Sequence, residues 1–190
     1  MDICKEEIEL KPAFMEDRSK IYQWMASSNI TSFLFDKEEI PTWEEFLEDY
    51  QDFYFDGTAP EKGGGFIIVY KEIPIGFISY ASFHLAQNKT ELDIWMSGQE
   101  NCEKGIGSKV IRMLCDYLMS DLEINEFLII PSINNPRAIR AYEKAGFERV
   151  SKGEKIEIMK KSLREDFLKE SHDYDHIYSD EENLLLIKKL

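Results

Sequence analysis

Two glycines at alternate positions, Gly105 and Gly107, stand directly before a stretch of apolar residues with helical spacing. Glycine lets a ligand approach the backbone closely, and the first turn of a helix carries unpaired N–H groups and a partial positive charge. This combination favours binding of a pyrophosphate. The segment is not a Walker loop, because no Gly-Lys-Ser or Gly-Lys-Thr ends it, and it is not a complete dinucleotide fingerprint. Taken alone, it is explained equally well by a tight turn before a helix.

A second segment, residues 134–147, has the sequence NNPRAIRAYEKAGF. Asparagine before proline is a suitable helix N-cap, and glycine is typical just after the end of a helix. Together with the glycine turn, this segment resembles the GCN5-related N-acetyltransferase (GNAT) family, which pairs a Gly-x-Gly phosphate turn with a downstream Asn-x-x-Ala-x-x-x-Tyr-x-x-x-Gly-Phe segment. The residues that match this pattern are Asn135, Ala138, Tyr142, Gly146 and Phe147, and the resemblance covers residues 65–150.

Within that family, the chain is most similar to the aminoglycoside 6'-N-acetyltransferases, with which it shares the pattern Asn-Pro-Arg-Ala-Ile-Arg-x-Tyr-x-Lys-x-Gly-Phe. That group also has an aspartate on the strand before the glycine turn, and here Asp93 lies twelve residues before Gly105. The chain departs from the pattern at two places. Cys102–Glu103 stands where the wider family usually has Gln or Arg followed by Gly, and Trp95–Met96 stands where a polar residue is commoner in the aminoglycoside group.

The resemblance implies a fold, an activity and a cofactor. The implied fold is α/β, with a mixed, mostly antiparallel central sheet flanked by helices on both faces. The implied activity is transfer of an acetyl group from acetyl-CoA to a primary amine of a cationic small molecule, and an aminoglycoside antibiotic is the first candidate. The alternatives are a polyamine, a streptothricin-like drug or a peptide amine as acceptor. A non-catalytic acyl-CoA-binding module is a further alternative, because Glu103 is anionic beside the expected pyrophosphate.

Acetyl transfer to an amine needs one group that takes a proton from the ammonium and one that protonates the departing thiolate. The pKa of a primary ammonium lies near ~10.4, so the acceptor is almost wholly protonated at neutral pH. Asp93 is the candidate base, because it places a carboxylate in the otherwise apolar strand Leu92–Met96, where burial raises a carboxyl pKa. A structural aspartate is the alternative, with water or Glu91 relaying the proton. Tyr142 is the candidate acid, and a core aromatic residue is its alternative.

The resemblance also implies which residues hold the two ligands. The expected cofactor-binding residues are Ile94, Trp95, Met96, Glu103, Lys104, Gly105, Ile106, Gly107, Ser108 and Asn135. The expected acceptor-binding residues are Asp36, Trp43, Asp49, Tyr50, Asp52 and Asp93, since carboxylates and aromatic rings suit a cation. A solvent-facing amphipathic helix would explain several of these acids equally well. No metal site is expected, because the pair His172 and His176 lacks a pattern such as His-Glu-x-x-His.

The charge of the chain is strongly negative, with 37 acidic and 23 basic side chains and a formal net charge of −14. Residues 36–62 contain ten acidic and two basic side chains, and residues 164–182 contain eight and two, so these two segments carry the whole net charge. Such a field repels phosphate backbones, which argues against nucleic-acid binding, and it attracts a polycation. Acidic faces kept for solubility are the alternative explanation.

The chain of 190 residues, 43% of them apolar, is long enough for one domain with a full core, so we expect a single domain over residues 1–190. Strands are predicted at Ile8–Pro12, Phe66–Tyr70, Ile75–Phe83, Thr90–Ser97, Phe127–Ile130, Phe147–Ser151 and Glu182–Lys189, and helices at Gly105–Ser120 and Pro136–Ala145. The last strand is expected at an exposed edge, where it could pair across a homodimer.

No apolar run approaches the ~18–20 residues of a membrane span. The first residues, Met1–Glu7, have neither the basic nor the apolar region of a signal peptide. Three cysteines cannot form a disulfide framework in a chain of this length. We therefore expect a reduced, cytoplasmic protein that does not bind membranes.

Overall fold

A mixed β-sheet forms the centre of the structure. The computed structural model describes residues 3–5, 7–26, 40–102, 105–170 and 183–189. These residues form eight strands: β1 (Ile3–Lys5), β2 (Ile8–Pro12), β3 (Gly63–Tyr70), β4 (Ile73–Ala81), β5 (Lys89–Met96), β6 (Glu126–Ile129), β7 (Glu148–Arg149) and β8 (Leu186–Lys189). The order is β1-β2-β3-β4-β5-β6-β8-β7, and all neighbours are antiparallel except β5 and β6. The predicted sheet type is confirmed.

Helices lie on both faces of this sheet, as predicted. They are α1 (Arg18–Met25), α2 (Trp43–Asp49), α3 (Phe53–Asp56), α4 (Ile106–Leu122), α5 (Pro136–Lys144), α6 (Lys152–Ser162) and α7 (Glu165–Glu170), with 3-10 turns at Met15–Asp17 and Gln99–Asn101. Within the described ranges, no helix is both long enough and apolar enough to cross a membrane.

Each face of the sheet has its own apolar core, because successive side chains of a strand point to opposite faces. Ile68 and Ile78 pack in the core that contains α4 and α5. Their neighbours Ile67 and Phe77 pack in the core that contains α1, α2 and α3, with Phe46 of α2 buried against them. The central strands are therefore apolar on both sides, and they hold the two layers of helices in fixed positions.

The hairpin of β3 and β4 is tighter than its sequence predicts. Lys71 and Glu72 both adopt left-handed backbone angles, so a two-residue turn joins the strands and β4 begins at Ile73. Pro74 was expected in the turn, but it lies within β4 beside a bulge, since Ile68 pairs with Gly76 while the next residue of β3 pairs with Pro74. A bulge tolerates proline, which has no N–H for the ladder.

The predicted exposed edge strand near residues 182–190 is wrong. The strand β8 lies inside the sheet, where it pairs with β6 on one side and with β7 on the other. Leu186 and Ile187 are consecutive, point to opposite faces and are both buried, as expected for a strand that is covered on both faces. The segment is therefore not available to pair with a second copy of the chain.

The parallel strands β5 and β6 pair only over their first three residues. Lys89–Glu91 pairs with Glu126–Leu128, whereas the later residues of β5 pair with β4 alone. Within the described residues, one edge of β5 consequently has no strand beside it from Leu92 to Met96. This unpaired edge is the feature around which the candidate site is built.

Helix α2 begins directly after Thr42, its N-cap residue. The hydroxyl of Thr42 accepts a hydrogen bond from the Glu45 amide (3.2 Å), and the Glu45 carboxylate accepts one from the Thr42 amide (2.7 Å). This capping box fixes the first turn of the helix. Its last turn is held by Tyr50, whose amide bonds to the carbonyl of Phe46 at 2.8 Å. Tyr50 is thereby placed against β5.

Candidate active site

A cleft of about 270 Å³ lies along the unpaired edge of β5, between the start of α4 and one face of α5. Gly105 forms the N-cap of α4 with φ of +71°, a left-handed conformation that favours glycine. The first N–H groups of α4 have no partner within the helix, so this end presents donors and a partial positive charge. The lining residues are Ile94, Trp95, Met96, Asn101, Cys102, Gly105, Gly107, Ser108, Ile111, Asn135, Arg137, Ala138, Arg140, Ala141, Tyr142 and Lys144.

Most of the predicted cofactor-binding residues line this cleft: Ile94, Trp95, Met96, Gly105, Gly107, Ser108 and Asn135. The side chain of Ile106 is buried in the core beneath α4, and a contact of its main chain with the ligand stays a prediction. Glu103 and Lys104 lie outside the described residues. The side-chain oxygen of Asn135 accepts a hydrogen bond from the Ala138 amide (3.1 Å), so this residue caps α5 where it meets the cleft.

The cleft is basic, although the chain as a whole is acidic. Arg137, Arg140 and Lys144 of α5 all line it. Residues spaced three or four apart lie on one face of a helix, so the three cations form one row. With the helix end of α4 opposite, this arrangement favours an anionic ligand that carries phosphate groups. None of the three is in the set of cofactor-binding residues predicted from the sequence, because a basic helix face pointing to solvent has the same pattern.

Two further cavities, of about 170 and 330 Å³, contain Asp93. The smaller is lined by Met25, Pro41, Phe46, Asp49, Tyr50, Asp93 and Trp95, and the larger by Glu48, Asp49, Tyr50, Gln51, Tyr54, Ser79, Ala81, Phe83, His84, Glu91, Leu92 and Asp93. Together they form what we call the acidic cavity. Among these lining residues there are four carboxylates and neither a lysine nor an arginine, so the cavity favours a cation.

Asp93 accepts a hydrogen bond of 2.6 Å from the hydroxyl of Tyr50. Its side chain is open to solvent through the mouth of the cavity but is surrounded by protein on its other sides. Burial raises the pKa of Asp93 above its usual value, and the charges of Glu91 and Asp49 add to this. The bond from Tyr50 acts in the opposite direction. Burial and the charge of Asp93 hold the pKa of Tyr50 well above the ordinary value for tyrosine, so this phenol remains a donor.

Tyr142 lies across β5 from these groups, at the wall of the basic cleft. Its side chain is buried, and burial together with the charge of Asp93 raises the pKa of its phenol. The hydroxyl makes no hydrogen bond to another residue of the described part of the chain. Tyr142 is therefore a neutral proton donor facing the cleft, and β5 separates it from the carboxylate predicted to act with it.

Two predicted acceptor-binding residues, Asp52 and Trp43, lie outside the acidic cavity. The carboxylate of Asp52 bonds to the guanidinium of Arg18 at 2.7 Å, is mostly exposed, and lines neither part of the acidic cavity. Trp43 packs its ring on Tyr22 and Phe46 and also lies outside the cavity. Asp36 lies outside the described residues. Asp49, Tyr50 and Asp93 of the predicted set line the cavity, whereas Asp52 and Trp43 contact other parts of the chain.

The side chain of Trp95 lies at the acidic cavity, a location that sequence reasoning missed. Its main chain was expected to face the cofactor, but its side chain points to the opposite face and forms part of the floor of the acidic cavity. The indole nitrogen is buried without a hydrogen-bond partner among the described residues. Strand alternation is the signal that could have found this, since Asp93 and Trp95 must share a face if Ile94 points to the other.

Replacing Tyr50 by phenylalanine is expected to move the acid limb of the pH profile of kcat to higher pH, by about 1 to 2 units. The bond from Tyr50 stabilises the ionised form of Asp93, and a hydrogen bond to a charged group contributes about 1.5–3 kcal/mol. Its loss raises the pKa of Asp93 further, so the carboxylate is protonated over a wider acidic range. Tyr54→Phe is the matched control, because Tyr54 lines the same cavity without a bond to Asp93. An acid limb at the same pH in Tyr50→Phe and the unmodified chain would contradict this.

Comparison with known proteins gives a consistent result. Residues 7–148 match the family model of the acetyltransferase (GNAT) domain. The chain is 32% identical over 144 residues to aminoglycoside N(6')-acetyltransferase type 1 from Klebsiella pneumoniae, and the match covers 70% of each protein. A solved structure of aminoglycoside acetyltransferase AAC(6')-Ib with coenzyme A is 26% identical, with a TM-score of 0.62 over 76% of this chain and 86% of that one. The same enzyme with coenzyme A and kanamycin has a TM-score of 0.65 at 21% identity, over 96% and 94% of the two chains, which is a likeness of fold.

Proposed function

This chain belongs to the GNAT acetyltransferase family, and from that premise we propose that it transfers an acetyl group from acetyl-CoA to the 6'-amino group of an aminoglycoside. The relative from Klebsiella pneumoniae has this activity in its name, and its match to this chain covers 70% of each protein. The chain would then be an N-acetyltransferase whose acceptor is a polycationic small molecule.

The observation that carries the proposal is the opposite charge of the two sites that meet at β5. The cleft along one side of the strand is lined by Arg137, Arg140 and Lys144, whereas the acidic cavity on the other side contains Asp93 and three further carboxylates. Acetyl-CoA is anionic and an aminoglycoside is a polycation. Each ligand is therefore attracted to one site and repelled from the other, and the two would meet at the strand that separates them.

The residues of the basic cleft fit acetyl-CoA in three ways. The left-handed turn at Gly105 and the first N–H groups of α4 suit a pyrophosphate. The unpaired edge of β5 at Ile94–Met96 offers backbone groups at the spacing that an extended amide chain such as pantetheine requires. The basic row on α5 suits a further phosphate. When bound, acetyl-CoA supplies the activated acetyl group.

Proton movement is the contribution of the chain's own side chains. Asp93 would bind the acceptor ammonium and take its proton, leaving a neutral amine whose lone pair forms the new N–C bond. As the C–S bond breaks, Tyr142 would give its proton to the sulfur that leaves. The raised pKa of Asp93 makes it a stronger base than an exposed aspartate, and the raised pKa of Tyr142 keeps the phenol protonated until the thiolate forms. The nitrogen loses a second proton as the amide forms, and this proton would restore the phenol of Tyr142. The net products would be the amide, the free thiol and one proton, which Asp93 would pass to solvent.

The test is release of free thiol from acetyl-CoA in the presence of kanamycin B, kanamycin C, spermidine, streptothricin and a lysine peptide. Kanamycin C carries a hydroxyl where kanamycin B carries the 6'-amine. We expect release of thiol with kanamycin B and none with kanamycin C, which lacks the 6'-amine. Turnover only with spermidine, streptothricin or the peptide would show that the chain transfers acetyl groups to a different kind of amine. Thermal stabilisation by acetyl-CoA without turnover on any acceptor would indicate a non-catalytic acyl-CoA-binding module.

Neutralising Asp49 is expected to raise the acceptor KM by about 3- to 10-fold at low salt, and less at 1 M salt, because added ions screen the attraction. The value of kcat should change little, since Asp49 lines the cavity without touching Asp93 or Tyr142 through a hydrogen bond. The measurement is KM for kanamycin B of Asp49→Asn across a salt series. Asp52→Asn is the control of equal charge change, because Asp52 is paired with Arg18 outside the cavity. Equal effects of the two substitutions would show that only the net charge of the chain matters.

A further inference from the structure

Glu91 lies two residues before Asp93 on β5, so the two carboxylates point to the same face of the strand. Both line the larger part of the acidic cavity. Strand geometry places residues two apart at about 6.6–7 Å between Cα atoms. The charge of Glu91 also contributes to the raised pKa of Asp93, as expected for two carboxylates in one cavity. The chain therefore offers two anionic positions at a fixed separation, and the reaction uses only one of them.

His84 holds the second position in place. Its Nε2 lies 3.1 Å from the carboxylate of Glu91, and its ring packs against the rings of Phe83 and Phe167, with centroids 4.8 and 5.7 Å away. The residue is 6% exposed. A buried ring clamped between two aromatic side chains has one orientation, so the carboxylate that accepts its hydrogen bond is oriented too.

The second ring nitrogen of His84 makes no competing contact. Nδ1 is buried and has no hydrogen-bond partner among the described residues. The contact between Nε2 and the Glu91 carboxylate is therefore the only hydrogen bond of this ring within the described part of the chain. His84 orients Glu91 through this one contact.

We infer that Glu91, oriented by His84, binds a second ammonium group of the acceptor beside the one that is acetylated. The inference rests on the proposed function and deepens it, since it names the acceptor subclass: aminoglycosides with amino groups at both the 2' and 6' positions of one sugar ring. These positions lie at opposite ends of the ring, a separation that matches two carboxylates on alternate residues of a strand. Glu91 is a specificity-determining residue, and His84 is a positioning residue that acts through it.

Kanamycin A and kanamycin B provide the matched ligands for the test, because they differ only in a hydroxyl or an amine at the 2' position. The unmodified chain is expected to have a kcat/KM for kanamycin B about 10- to 100-fold above that for kanamycin A, the effect of one hydrogen bond to a charged group. Glu91→Gln should bring this ratio close to one, mainly through the KM for kanamycin B. Glu48→Gln, which removes another carboxylate of the same cavity, should keep the ratio.

The role of His84 is tested by two substitutions of similar size. His84→Gln retains an N–H donor for Glu91 and should keep most of the preference for kanamycin B. His84→Leu removes the donor and should lose the preference while thermal unfolding shows a folded protein. If His84→Leu lowers kcat/KM for both kanamycins by the same factor, the residue is only structural and the positioning role is overturned.

The outcomes separate this inference from the proposed function. Turnover of both kanamycins with equal kcat/KM, or a ratio that Glu91→Gln leaves intact, overturns the role of Glu91 and leaves the acetyltransferase proposal standing. Absence of turnover on every aminoglycoside overturns the proposed function and this inference with it. A ratio above one that falls in Glu91→Gln and His84→Leu and persists in Glu48→Gln and His84→Gln supports the inference.

Discussion

Asp93→Asn is expected to lower kcat by about 10²- to 10⁴-fold, the usual contribution of a positioned general base. Asparagine has nearly the same size and still accepts a hydrogen bond from Tyr50, so the cavity keeps its shape while the proton acceptor is lost. The acceptor ammonium would then remain protonated in the acidic cavity. The measurement is kcat with kanamycin B at saturating acetyl-CoA, accompanied by thermal unfolding to show that the variant is folded.

The pH profile gives this prediction a second, independent readout. Because burial raises the pKa of Asp93, its carboxylate is ionised only above that raised value, and kcat of the unmodified chain should fall as the pH drops through it. In Asp93→Asn this acid limb should disappear. Asp52→Asn serves as the control, since it removes an equal charge from a carboxylate outside the acidic cavity. An acid limb that persists in Asp93→Asn would assign the titrating group to another residue, and Glu91 would be the next to test.

Tyr142→Phe is expected to lower kcat by about 10²- to 10³-fold, because the departing thiolate loses its proton donor and is expelled as an anion into a partly buried cleft. Phenylalanine retains the packing of the ring against α4, so KM for acetyl-CoA should change little. Tyr117→Phe is the matched control, since Tyr117 lies on α4 away from the cleft, packed on Phe66. If Tyr117→Phe lowers kcat as much as Tyr142→Phe does, the loss comes from disturbed packing, and the hydroxyl of Tyr142 has no special role in the reaction.

The raised pKa of Tyr142 also predicts that the pH profile of kcat has no alkaline limb caused by this phenol. With the pKa of the phenol above its ordinary value, the donor stays protonated throughout the range in which the protein is assayed. The unmodified chain should therefore show no alkaline limb that disappears in Tyr142→Phe. A limb near pH 9 that vanishes in this variant would contradict the proton assignment made by burial and by the charge of Asp93.

Local patterns in the sequence predict much of the site, because several of its parts are contiguous in the chain. The turn at Gly105 and the start of α4 follow from glycine and from helical spacing, and the N-cap at Asn135 follows from asparagine before proline. Asp93 stands out as a carboxylate in an apolar strand. Each of these features depends on neighbours within a few residues, where periodicity and capping preferences are informative.

Contacts between distant parts of the chain could not be predicted in this way. Nothing within β8 specifies that it inserts between β6 and β7, since that choice depends on which edge the rest of the chain leaves free. The bond from Tyr50 to Asp93 and the ion pair of Asp52 with Arg18 depend on how α2 and α3 lie against β5 and α1. Acidic residues of similar type in one short region therefore have different roles, and only the tertiary packing separates them.

The unpaired edge of β5 also bears on how the protein avoids aggregation. A free strand edge normally invites a strand from another molecule, which needs a width of about 4.7–4.9 Å together with room for its side chains on both faces. Here the edge lies within the sheet, and α4 and α5 approach so closely that a methyl group at Gly107 would stand 3.9 Å from the β-carbon of Ala141. A thin, unbranched chain can enter such a slot, whereas a second polypeptide cannot. The same narrowness that suits a small extended ligand thus keeps a second strand from pairing with the free backbone groups of β5.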